Sequence, residues 1–259
     1  MAKRSGTVSL IGAGPGDPGL LTLKALRAIE DCDVVVYDRL VSSAVLDLVP
    51  AGVTRICVGK RPGDHPVPQH EINRLLIRLA RNGRRVVRLK GGDPFIFGRG
   101  GEELVALCAA GVVVDVVPGI TAAQGCAASA LVPLTHRGCA SGVHYITGHC
   151  QAGENLDLDW AGLASPRSTL VVYMGRANLG RIAGQLISHG RAPSTPVLAL
   201  CNGTTPDERR LEATLGTVSK LLEGAGLTGP VLLMIGEVVD LANHRATMVQ
   251  DENALARHG

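Results

Sequence analysis

The sequence predicts an α/β protein built as two α/β domains, with a parallel sheet in the first and a mixed sheet in the second. Three observations carry this. Through the first half, short β-branched runs alternate with helical apolar stripes, the rhythm of a parallel sheet with helices on its faces. Three of those runs end in turns rich in glycine or small residues. After Pro133 the runs crowd together, and Cys201 to Thr214 leaves room for only a short loop between two strands, which requires an antiparallel pair.

In chain order, strands are expected at Val8–Ile11, Val34–Tyr37, Arg55–Val58, Val86–Leu89 and Val112–Val117. Between the third and fourth, Ile72, Leu75, Leu76, Leu79 and Ala80 follow helical spacing, with Arg74, Arg78 and Arg81 turned away. Asn82-Gly83 then supplies a C-cap. In the second half, strands are expected at Val143–Thr147, Thr169–Tyr173, Val197–Leu200, Arg210–Thr214 and Val231–Ile235. One helix there puts Leu179, Ile182, Ala183, Leu186 and Ile187 on one face. The domain boundary falls near Leu131–Arg137, giving domains 1–132 and 133–259, and the last ~20 residues read as a loosely held tail.

Composition narrows the class. Hydrophobic residues make up 46% of 259 and charged ones 19%, a globular balance without a charged tail. A net charge of +3 supplies no dense basic face for nucleic acid. Arginine outnumbers lysine 21 to 5. The forked guanidinium suits a polyanionic substrate, and a GC-rich coding sequence explains the excess equally well. The apolar run Val8–Ile11 is too short for a signal-peptide core, and no stretch approaches the ~20 apolar residues of a membrane helix. Seven scattered cysteines without a C-x-x-C pair read as reduced thiols of a cytoplasmic protein. The histidines show no metal-ligand spacing, so no metal is expected.

The first glycine turn is Gly12-Ala13-Gly14-Pro15-Gly16-Asp17-Pro18. It lacks the third glycine of a dinucleotide fingerprint and the Gly-Lys-Ser/Thr of a P-loop, and two prolines remove N–H groups that would hold a ligand. The second turn runs from Lys90 through Gly91, Gly92 and Asp93 to Glu103 and holds both phenylalanines of the chain, Phe95 and Phe97. They are either buried anchors or a contact surface for a flat apolar ligand. Arg99 and Glu102 lie three apart across the start of a helix, as a solvated ion pair or as substrate contacts. The third turn is Pro118 to Ala123, where Thr121 serves as an N-cap or meets a polar ligand group. Three such loops at strand C-termini point to a binding site. Asp38 ends the second strand, as a candidate base or as a cap for the next helix.

The runs V-S-L-I-G-A-G-P-G-D-P-G-L-L-T-L-K-A, V-V-Y-D-R-L-V, V-G-K-R, V-P-Q-H-E-I-N, V-V-R-L-K-G-G-D-P-F-I-F-G-R-G-G-E-E, V-V-P-G-I-T-A, V-P-L-T-H-R and Y-M-G follow one another from about Thr7 to Asp240. Together they closely resemble the uroporphyrinogen-III C-methyltransferases of the tetrapyrrole methylase superfamily. The resemblance implies a homodimer with the active site in a cleft between the two α/β domains of each subunit. It implies S-adenosyl-L-methionine as co-substrate and two methylations of uroporphyrinogen III to give precorrin-2, for sirohaem, cobalamin or another modified haem. The cofactor-binding residues it implies are Pro15, Gly91, Gly92, Asp93, Ile96, Thr121, Ala122, Met174 and Gly203. Asp38 and Lys60 match a proton acceptor and donor, and Arg99, Glu102 and Arg137 match substrate positions, with Arg99 an alternative base. No membrane or nucleic-acid partner is implied. Gly138-Cys139 stand where an acidic residue often follows the T-H-R motif. Oxidation and metal insertion, which some relatives carry in a fused module, are expected of other proteins. The competing readings are a methylase of another precorrin, an RNA or protein methyltransferase of the same fold, and a non-catalytic nucleotide-binding regulator.

Overall fold

The computed structural model describes residues 6–59, 67–149 and 156–241. Lys60 and the C-terminal tail after residue 241 lie outside the described residues. Contacts divide the chain into two compact units, Met1–Gly125 and Cys126–Gly259.

In the first unit, strands β1 (Thr7–Gly12), β2 (Val34–Tyr37), β3 (Thr54–Cys57), β4 (Arg85–Lys90) and β5 (Val113–Val117) form one parallel sheet in the order β3-β2-β4-β1-β5. Helices α1 (Leu23–Glu30) and α2 (Ser43–Leu46) cover one face, packing Ala25, Ile29 and Val45 onto Ile11, Val35, Val87 and Leu89. Helices α3 (Gln69–Arg81) and α4 (Gly100–Ala109) cover the other, packing Ile72, Leu76, Ala80 and Leu107 onto Val8, Leu10, Val34, Val36 and Val86. Alternate residues of the central strands β1, β2 and β4 feed the two cores, and β2 accordingly reads as a continuous apolar run. The chain therefore leaves the neighbouring strands β1 and β4 toward opposite faces of the sheet. That is the topological switch at which α/β sheets bind ligands, beyond the carboxyl ends of the strands.

The expected α3 is present with the predicted face inward; it ends at Asn82, and its arginines 74, 78 and 81 are exposed. Deleting Leu76 to alanine at this depth costs about 2–5 kcal/mol. The α1 N-terminus is set by Thr22, whose Oγ1 accepts from Ala25 N at 3.1 Å. Helix α2 is capped by Ser42, whose Oγ accepts from Val45 N at 3.2 Å. The reading of Asp38 as the cap of that helix is therefore corrected. Asp38 stops four residues short, and its carboxylate is engaged elsewhere.

Helix α5 (Ala122–Ala130) follows β5, and the division between the units falls within it. The second unit holds β6 (Gly142–Thr147), α6 (Trp160–Leu163), β7 (Ser168–Tyr173), α7 (Leu179–Ser188), β8 (Pro196–Cys201), β9 (Arg209–Thr214), α8 (Val218–Gly224) and β10 (Val231–Ile235). Its sheet runs β6-β7-β10-β8-β9 and is mixed: β6 and β7 are parallel, while β10 is antiparallel to both β7 and β8, and β9 to β8. Helices α6, α7 and α8 close one face through Leu163, Leu179, Ile182, Leu186, Val218 and Leu222. Because β7 and β8 point the same way, the turns after Tyr173 and after Cys201 emerge at the same end of this sheet.

Candidate active site

In the first unit, three strand-end turns meet backbone to backbone. Gly14 and Gly92 exchange hydrogen bonds of 3.2 and 2.7 Å, and Ala13 N donates to Lys90 O at 2.7 Å. Gly12 and Gly119 sit so close that a Cβ on Gly12 would come within 2.5 Å of Gly119 N. Side chains are excluded here, as close approach of main chains demands. Asp93 fastens the junction: Oδ1 accepts from Phe95 N at 2.8 Å and Oδ2 from Gly119 N at 3.1 Å. Gly92 itself has φ +68°, and a Cβ there would lie in van der Waals contact with Ala122 N at 3.7 Å, so the third turn packs directly over this glycine. Pro15 and Ile96 are half-buried in the same turns.

Thr121 and Gln124 form a reciprocal cap at the start of α5. Thr121 Oγ1 accepts from Gln124 N, while Gln124 Oε1 accepts from Thr121 N and from its hydroxyl, all at 3.2 Å. The N-cap reading of Thr121 is realised. Ala122 beside it is half-buried.

Beyond these turns, the α3/α4 face of the sheet buries a group of charges. Arg88, 1% exposed inside β4, donates from Nε to Glu103 Oε1 at 2.9 Å and from Nη2 to Asp38 Oδ1 at 2.6 Å. Lys90 Nζ reaches Glu103 Oε1 at 3.3 Å and Asp38 Oδ2 at 3.4 Å. Gln69 Nε2 adds a bond of 3.2 Å to Glu103 Oε1, and Glu103 Oε2 is buried without a partner. Two cations answer two carboxylates. Glu103 is fully buried, whereas the Asp38 side chain keeps 30% of its surface exposed and is the outlet of the cluster.

Arg88, Lys90 and Glu103 are functional candidates that the sequence reading missed. The signal was present. Two charged residues at alternate positions of a strand flanked by apolar runs place both on one buried face, and a buried charge requires a partner there.

Arg99 and Glu102 pair with each other at 2.7 and 2.8 Å, both more than half exposed. Their mutual hydrogen bond raises the Arg99 guanidinium and lowers the Glu102 carboxyl relative to their ordinary values. Arg99 has φ +60° at the N-terminus of α4, and Phe97 has φ +53°. Phe95 and Phe97 are both exposed, so the reading of them as buried anchors is corrected.

In the second unit, Met174 follows β7, is exposed, and has φ +53°. Gly203 follows β8 between Asn202 and Thr204, which have φ +52° and +66°. Strained backbone of this kind gathers at binding sites. The structure brings Met174 and Gly203 to the same end of the mixed sheet. Arg137 lies at the other end, exposed in a tight turn that is closed by His136 and Ala140 and leads into β6. It shares an open groove of about 510 Å³ with His136 and Arg167. The six residues of β7 separate that groove from Met174, roughly 20 Å.

A glycine-turn junction at the switch point of a doubly wound sheet, followed in the chain by a mixed-sheet unit, is the architecture of the two-domain α/β methylase class. The sequence profile described as Tetrapyrrole (Corrin/Porphyrin) Methylases matches residues 7–219, and the chain belongs to that family. It is 54% identical over 257 residues to a uroporphyrinogen-III C-methyltransferase of Paracoccus denitrificans, covering 98% of this chain and 90% of that one. It is also 54% identical to a siroheme synthase of Azotobacter vinelandii, where 94% of this chain matches 52% of the relative. The chain spans about half the length of such siroheme synthases. Among solved structures, a Thermus thermophilus uroporphyrin-III C-methyl transferase complexed with S-adenyl homocysteine aligns with a TM-score of 0.77 at 45% identity, over 91% of this chain and 99% of that one. A cobalt precorrin-4 methyltransferase aligns with a TM-score of 0.80 at 27% identity, over 90% and 96%.

Proposed function

We propose that this chain transfers methyl groups from S-adenosyl-L-methionine to two ring carbons of uroporphyrinogen III, giving precorrin-2. The observation that carries the reading is the side-chain-free glycine junction of three turns at the switch point. The near full-length likeness to a C-methyltransferase of that name supports it.

When bound, S-adenosylmethionine supplies an electrophilic methyl group on a sulfonium. The chain's part is binding, alignment and proton removal. Backbone at Gly91, Gly92 and Ala122 holds the co-substrate, with Pro15, Ile96, Met174 and Gly203 as further contacts. Asp93 and Thr121 keep that backbone in shape through the bonds described above. Asp38 takes the proton released from the methylated ring, and Arg88 and Lys90 aim its carboxylate. Lys60 is the proton donor on this reading. Arg99, oriented by Glu102, offers its guanidinium to the substrate's carboxylates, whereas Arg137, at the opposite end of its sheet from Met174, stands apart from that contact. Because the sulfonium is itself the electrophile, the transfer calls for no metal. We infer a cytoplasmic homodimer acting on a free tetrapyrrole, without nucleic-acid or membrane partners, organised as functional domains 1–132 and 133–259. Among the described residues, no helix is long and apolar enough to cross a membrane.

The test is anaerobic incubation of the purified protein with both substrates, followed by mass spectrometry. Addition of two methyl groups is expected. Unchanged uroporphyrinogen III, with methyl transfer to another tetrapyrrole, would replace this reading with that of a related precorrin methylase.

A further inference from the structure

The turn that carries Gly203 joins β8 to β9. Left-handed residues flank the glycine on both sides, Asn202 at φ +52° and Thr204 at φ +66°. Such backbone persists only where its surroundings hold it. Asn202 is held by its N–H to Pro230 O and its Nδ2 to Thr228 O, both 3.0 Å. Thr204 is held by its N–H, which donates to Glu208 Oε2 at 2.7 Å.

Glu208 is the hub of the turn. The same Oε2 accepts from Ser129 Oγ at 2.6 Å, and Oε1 accepts from Arg210 Nε at 2.7 Å. Arg210 Nη2 closes the circuit by donating to Ser129 O at 2.7 Å. Ser129 belongs to α5, and so does Cys126, whose Sγ occupies the space that a Cβ at Gly203 would need. Glu208 therefore stitches the Gly203 turn to α5. Its side chain is only 12% exposed, and its pairing with Arg210 and the bonds it accepts from Ser129 and Thr204 offset the cost of burying a carboxylate there. The turn so held emerges at the same end of the sheet as Met174, away from the apolar core of the unit.

We propose that Glu208 is a positioning residue for S-adenosylmethionine: by holding Thr204 N–H against α5, it keeps the Gly203 turn in the strained shape that meets the co-substrate. The inference rests on the assignment of Gly203 to that ligand under the proposed function. A purely structural Glu208 would change thermal stability without a selective loss of co-substrate affinity.

The test is calorimetric titration of S-adenosylhomocysteine into wild type, Glu208→Ala, Glu208→Gln and Ser129→Ala, alongside steady-state kinetics. Glu208→Ala is expected to bind about tenfold more weakly or worse. Glu208→Gln keeps one acceptor oxygen and loses less. The KM for S-adenosylmethionine rises in parallel, while kcat at saturating co-substrate and the KM for uroporphyrinogen III stay within about twofold. A folded Glu208→Ala that binds within twofold of wild type overturns the proposal, as does an equal loss in every parameter. If Glu208→Ala does not fold, Glu208→Gln and Ser129→Ala decide by the same criterion. Failure of the wild type to bind S-adenosylhomocysteine strikes instead at the proposed function.

Discussion

The two units answer a buried arginine in opposite ways. In the first, Arg88 and Lys90 sit inside a parallel sheet and are answered by carboxylates, Glu103 and Asp38, one of which reaches solvent. In the second, Arg191 is 2% exposed and is answered by backbone alone. Its guanidinium donates to Leu163 O, Ser168 O and Ile235 O at 3.1–3.2 Å, and its Nε has no partner. Burial lowers the hold of Arg191 on its proton, with the Glu237 charge opposing. Its three carbonyls belong to the end of α6, the start of β7 and the end of β10, so it ties element ends together far from Met174. The difference separates function from architecture. An ion cluster with an exposed carboxylate at strand C-termini can move a proton, whereas a cation wrapped in carbonyls can only hold its neighbours.

The largest effect should come from breaking the ion cluster. Arg88→Leu leaves Glu103 short of a partner and is expected to cost about 3–5 kcal/mol in denaturant unfolding, with turnover lost in the molecules that still fold. The double variant Arg88→Leu/Glu103→Leu should regain much of that stability and none of the turnover. Recovery of both would reduce the cluster to a packing device. Next in size is Arg191→Met, expected to cost about 2–4 kcal/mol because three buried carbonyls lose their donor. Its kcat per folded molecule should match wild type, and a kinetic defect beyond the unfolded fraction would blur the distinction drawn between the units.

How far this contrast was legible in the sequence differs between its two halves. Both sheets were readable, because β-branched runs and the apolar spacing of α3 and α7 are local patterns that packing obeys. The glycine turns were readable too, because close backbone approach excludes side chains at Gly12 and Gly119. The ion cluster was not assembled. Asp38, Arg88 and Glu103 are distant in the chain and meet only through strand order β2-β4 and the docking of α4, which no local pattern encodes. The exposure of Phe95 and Phe97 likewise depends on how the turn after Gly92 folds. The hub at Glu208 was invisible for the same reason, since its partner Ser129 lies 79 residues away.

A smaller effect concerns pH. Burial raises the Glu208 carboxyl, but hydrogen bonds from Ser129, Thr204 and Arg210 outweigh it and hold the group below its ordinary value. A depressed carboxyl contributes stability that is present above its unfolded pKa, roughly 4.3, and is lost as pH falls through the folded value. Thermal melts between pH 6 and 3 should therefore show a steeper acid loss for wild type than for Glu208→Gln; parallel curves would remove Glu208 from the acid response. The smallest stability effect is expected at Arg99→Ala, where an exposed pair with Glu102 is worth about 0–1 kcal/mol. Turnover should nevertheless fall while S-adenosylhomocysteine affinity holds. Unchanged turnover would leave Arg99 as a surface ion pair only.

Whether the first unit's ion cluster serves carbon methylation through Asp38 can be read from the position and rate of methyl transfer. The most direct measurement uses S-adenosylmethionine carrying a 13C methyl group, with uroporphyrinogen III and either wild type or Asp38→Asn, followed by carbon NMR of the product. Two labelled methyl groups on ring carbons are expected with wild type. With Asp38→Asn the expected rate is lower by roughly a hundredfold or more, while S-adenosylhomocysteine binding is retained. Label on nitrogen or on carboxylate oxygen, or an Asp38→Asn protein as fast as wild type, would contradict that role of the cluster.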